Sequence, residues 1–75
     1  MAGRTVMRRF ELHREHDVSG ISGTGVVAEG LQFSDGRVVT RWLAEIAQTC
    51  VWDSVEDVAA IHGHGGATLI VWVDA

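Results

Sequence analysis

The sequence predicts a mainly β fold: a small SH3-like or Tudor-like barrel of four to five antiparallel strands, with one short helix before the last strand. An open α+β sheet is the alternative. Three observations carry this. Short runs rich in Val, Ile, Thr, Phe and Trp recur between glycine-rich breaks, Asp35-Gly36 punctuates two of them as a hairpin cue, and one helical pattern precedes the final apolar run.

Taken in order, "TVMRRFELH" (residues 5–13) mixes Val6, Phe10 and Leu12 with charged neighbours and reads as the first strand. "DVSGISGTG" is a loop of small residues. In "TGVVAEGLQFSDGRVVTRWLAE" a two-residue type I′ turn at Asp35-Gly36 sets Phe33 opposite Val38, Leu31 opposite Thr40 and Glu29 opposite Trp42. Side-chain alternation then gives a core face of Val27, Leu31, Phe33, Val38 and Trp42, and a second face of Gln32, Arg37, Val39 and Arg41. Glu29 is a misfit on the core face, and a bulge at Gly30 is expected to turn it outward.

"TCVWDS" makes a further short strand. Ser54 then caps a helix through His62, with Glu56 and Asp57 suited to its first turn and an apolar stripe at Val55, Val58, Ala59 and Ile61. "ATLIVWVD" (67–74) is the last strand, and because it is apolar at nearly every position, either Leu69, Val71 and Val73 or Ile70 and Trp72 point inward.

Residues 1–75 form a single domain. A chain this short buries only roughly 60% of its unfolded surface, and the lone Cys50 permits no internal disulfide. Self-association is the remaining route to stability, so a homo-oligomer is expected. No run approaches the ~18 apolar residues of a membrane span, and the N-terminal stretch lacks the apolar core of a secretory signal. A cytoplasmic protein without a membrane partner is expected.

The formal net charge of −4 disfavours a protein that coats duplex DNA and makes nucleic acid a weak candidate partner. All six basic residues are nevertheless Arg, whose planar fork suits carboxylate or phosphate. Arg37 or Arg41 beside Trp42 would pair an anion clamp with a stacking wall, and Arg8, Arg9 and Arg14 would extend that surface, the plainer reading of these three being a solvated charged face.

"IHGHGG" adds His62 and His64 as candidate ligand-binding residues, although its plainer reading is a helix stop. Gly63 in the left-handed conformation would end the helix, and Gly65-Gly66 would turn the chain. The histidine and carboxylate types at His13, His16, Asp17, His62 and His64 suit a metal, but their spacing does not, and no metal or other cofactor is expected. Cys50 lies between Thr49 and Val51 as a packed hydrophobe and not as a nucleophile.

The stretches "SGTGVVAEG", "FSDGRVVTRW" and "VEDVAAIHGHGG", within residues 9–73, resemble a set of short uncharacterised proteins of actinobacteria and their phages. The resemblance implies a phage or prophage setting and brings no catalytic residues. A non-enzymatic binding module that acts stoichiometrically on a host protein or peptide is the leading expectation. The alternatives are sequestration of a small anionic nucleotide signal at an inter-subunit pocket, and a nucleic-acid-binding barrel.

Overall fold

The computed structural model describes residues 6–15, 24–63 and 66–74. Five strands form one antiparallel sheet: β1 (Arg8–Arg14), β2 (Gly25–Gln32), β3 (Val38–Trp42), β4 (Thr49–Trp52) and β5 (Thr68–Trp72), with helix α1 (Val55–His62) between β4 and β5. The strand order is β4-β3-β2-β1-β5. The mainly β expectation and the position of the helix hold, but the sheet is open and is not a closed barrel.

The topology explains why. Four successive antiparallel pairings leave β4 and β5 running the same way at opposite edges. Parallel strands cannot be joined by a tight turn and need a crossover. α1 supplies it, passing over one face of the sheet and burying Val58 against that face. A covering helix satisfies the apolar face without the sheet closing on itself.

The hairpin differs from expectation by one residue. Gln32 pairs with Val38 and Ala28 with Trp42. The Gly36 N–H donates to the Phe33 carbonyl at 2.9 Å, and Gly36 sits at φ +93°. Ser34-Asp35-Gly36 is therefore a three-residue loop whose glycine takes the left-handed position, and not a two-residue turn.

A one-residue slip exchanges the faces of a strand. Ala28, Gly30 and Gln32 accompany Val38, Thr40 and Trp42 on the covered face, while Leu31 and Glu29 lie on the other face with Val39 and Arg41. Glu29 needs no device to reach solvent. The bulge falls at Val27, between the Leu12–Ala28 and His13–Val26 pairs, which is how Val27 and Ala28 both become buried in succession.

Gly30 has a different task. The Phe10 ring lies directly over it, and a Cβ at Gly30 would land inside that ring. Phe10 is thereby buried at the middle of the sheet and meets Trp72 edge-on, with ring centroids 5.2 Å apart. The Arg8 guanidinium covers the other side of this cluster, 3.9 Å from the Trp72 ring centre. Leu12, Ile70 and Val58 continue the core towards α1, so the last strand points Ile70 and Trp72 inward.

The helix begins as the sequence indicates: the Ser54 hydroxyl accepts the Asp57 N–H at 3.2 Å. It ends differently. Gly63 has φ −68°, within the ordinary helical region, and the positive φ of +100° falls at Gly66. The Gly63 carbonyl accepts from both Gly66 and Thr68 at 3.0 Å, and these bonds turn the chain into β5.

Gly30→Ala is expected to destabilise the fold by about 1–3 kcal/mol, the usual range for overpacking a filled core. Urea denaturation measures it. In a double-mutant cycle with Phe10→Leu the two losses should not add, because the smaller side chain frees the space that the added methyl needs. Additive losses would contradict the packing described.

Candidate functional site

Of the six candidate binding residues, the structure brings only Trp42 and His62 together among those it describes. Trp42 and His62 meet on the covered face, ring centroids 4.7 Å apart and nearly perpendicular, and Trp52 meets His62 edge-on at 5.3 Å. Arg41 is on the opposite face, where its Nη1 donates to Thr49 Oγ1 at 2.9 Å. Arg37 stands at the hairpin tip, bonded to Asp35 at 3.3 Å and 3.9 Å from an Asp53 oxygen. His64 lies outside the described residues. The expected union of Arg37 or Arg41 with the Trp42 ring does not form in one chain.

Arg9 is already occupied. Its backbone N–H and Nε donate to one Asp74 oxygen at 2.8 and 3.0 Å, and Nη2 donates to the other at 2.8 Å. These bonds, the side-chain ones above all, hold the Asp74 carboxyl at about 2. With the Val73 N–H bonded to the Arg9 carbonyl at 2.9 Å, they tie the end of the chain to β1.

What the fold does assemble is a groove of about 270 Å³ between α1 and the β1–β5 pair. Leu12, Val58 and Ile70 form its apolar floor, and Ala59, His62, Gly63 and Thr68 its rim. Thr68 Oγ1 accepts from Arg14 Nε at 3.0 Å, and Arg14 is only 4% exposed. No described carboxylate pairs with this buried guanidinium. A desolvated cation is costly without such a partner.

The sequence places Arg14 on a solvated charged face, because charge ordinarily marks an exposed position, and its burial is the correction. The usable signal was alternation: residues 10, 12 and 14 share one face of β1 once Phe10 is taken as core. Glu15 of "HREH" donates its N–H to the carbonyl of Ala67, the residue that follows "IHGHGG", at 2.8 Å. His16 and Asp17 lie outside the described residues.

His13 faces the uncovered side, where Nε2 meets Glu11 Oε1 at 2.8 Å, while His62 lies on the covered side. The sheet separates them, so those two cannot share an ion. Among the described residues no group of three metal-ligand side chains converges. The Cys50 sulfur has the Gln48 amide at 3.8 Å. Among the described residues, no helix is long and apolar enough to cross a membrane.

Residues 7–74 match the family described as Acb5 phage protein. No curated protein and no solved structure matches the chain.

Asp74→Asn tests the Arg9 clamp through pH. A depressed carboxyl stabilises the fold at pH values above the unfolded carboxylate range and loses that contribution as pH falls through its folded value of about 2. Wild type should therefore exceed D74N in stability at neutral pH, with the gap closing as pH drops from about 4 towards 2 and shrinking in high salt. Thermal melts across that range measure it, and a gap constant down to pH 2 would contradict the clamp.

Proposed function

The chain belongs to the Acb5 phage protein family, and from that premise we propose that it is a non-enzymatic binding protein that sequesters a small anionic nucleotide-type signal of host defence, one groove per copy in a homo-oligomer. The observation that carries this reading is a groove with an aromatic rim whose Thr68 hydroxyl is bonded to the buried Arg14, a cation that no described carboxylate pairs with.

A nucleotide combines a flat apolar base with a phosphate anion. The groove of about 270 Å³ falls just below the range of small-molecule pockets, which run from ~300 Å³ upward, and suits one base and not a larger ligand. His62, held edge-on by Trp42 and Trp52, offers the base a rigid aromatic rim. Arg14 lies behind the rim residue Thr68, to which it is bonded, and places a positive charge at that end of the groove for the phosphate. Tight occupancy suffices for such a role, and no bond need be made or broken.

Thermal shift with mononucleotides and cyclic dinucleotides tests the reading. Ligand at ~100 times its Kd adds ~2.7 kcal/mol, which for a domain this small raises Tm by roughly 10 °C or more. Ala59→Leu fills the groove from the exposed side of α1. It should abolish the shift while leaving the ligand-free Tm nearly unchanged. If no nucleotide raises Tm, the reading fails.

A second reading, stoichiometric binding of a host protein or peptide, is favoured by the edge that β4 presents at one end of the sheet. That edge is a ready template for an added strand. A one-to-one complex with a host protein, in a chain indifferent to nucleotides, would replace the first reading with the second.

A further inference from the structure

We propose that the uncovered face of the sheet packs face to face against a second copy of the chain. This names the surface by which the homo-oligomer forms and does not depend on what the groove binds.

The strongest sign is β5. A strand with one wet face alternates apolar and polar residues, whereas a strand covered on both sides reads as a continuous apolar run. Ile70 and Trp72 pack in the core, yet Leu69, Val71 and Val73 on the other side are also apolar and stand 43%, 37% and 51% exposed. At the far edge Val51 is 78% exposed, and the register aligns it with Val39 and Leu31 in one apolar row. α1 covers only the opposite face.

Charge identifies the occupant. The neighbouring row reads Thr49, Arg41, Glu29, Glu11 and Val71 from β4 to β5. Glu11 and Glu29 are directly opposed across β1 and β2, an unfavourable like-charge pair. Arg41, the row's cation, is bonded to Thr49.

A two-fold axis parallel to the strands reverses the strand order of the facing copy. Placed along β2 it sets Arg41 over Glu11 of the second copy, and placed between β2 and β3 it sets Arg41 over Glu29. The second arrangement sets Arg41 against Glu29 twice over; the first sets Arg41 against Glu11 twice over and Val51 against Val73, with Glu29 meeting its own copy at the axis. A surface carrying its own complement under two-fold rotation is what a symmetric dimer requires.

Sedimentation velocity on the full chain is expected to find a dimer, near twice the 8.1 kDa chain mass. Val71→Glu and the exposed Arg41→Glu should each weaken association roughly 100-fold, with the circular dichroism spectrum retained. Mixing R41E with the Glu11→Arg, Glu29→Arg double variant should restore a heterodimer. A wild-type monomer would overturn the proposal. So would a dimer that survives both single substitutions, since its contacts would then be at a strand edge or on the α1 side. A mixture that stays dissociated, or a host protein that occupies the face of a monomeric chain, would also overturn it.

Discussion

Phe10 occupies the middle of the central strands only because Gly30, opposite it, has no Cβ, and the rest of the fold depends on the seating of that ring. The contact determines which side of β1 faces inward and fixes Ala28, Gly30 and Gln32 as the inward set of β2. Trp72 then meets the edge of the same ring, which aligns β5 beside β1, and Arg8 lies over Trp72. A small chain that cannot form an internal disulfide depends heavily on such a cluster, because little other apolar surface is fully buried.

The two faces of the sheet consequently have different characters. One is closed by α1 through Val58 and contains the aromatic corner of Trp42, Trp52 and His62 together with the buried Arg14. The other carries an apolar row, a charged row and, among the described residues, no covering layer from its own chain. The proposed binding and self-association surfaces are thereby separated by the thickness of one sheet. Occupation of one face does not obstruct the other.

The elements themselves were legible in the residues. The strands, the Ser54 cap and the order of helix and last strand follow from local alternation, capping chemistry and glycine placement. The faces of β2 were not. Asp35-Gly36 serves a two-residue turn or the end of a three-residue loop equally well, and the difference of one residue exchanged Leu31 and Phe33 for Ala28, Gly30 and Gln32. Glu29 then looked anomalous on the wrong face, and Gly30 was assigned a bulge when its purpose was clearance for a ring. The candidate site suffered similarly. Arg9, Arg37 and Arg41 share a residue type with a phosphate clamp, but Asp74, Asp35 and Thr49 respectively engage them on different parts of the surface.

By itself the sequence determined a mainly β chain of this element order, too small to be stable by a large core and bearing arginine as its sole strong cation. These properties depend on neighbours within a few residues or on composition. Only the tertiary structure decided that the sheet stays open, that Arg14 is buried beside Thr68 and that His62 sits against two tryptophans. Each of those depends on pairs distant along the chain: Arg14 with Thr68, Trp42 with His62, Phe10 with Gly30. Local periodicity carries no term for such pairs, because the same alternation is compatible with either register. The choice is made by whichever register lets the fully buried Phe10 ring sit over Gly30 without collision.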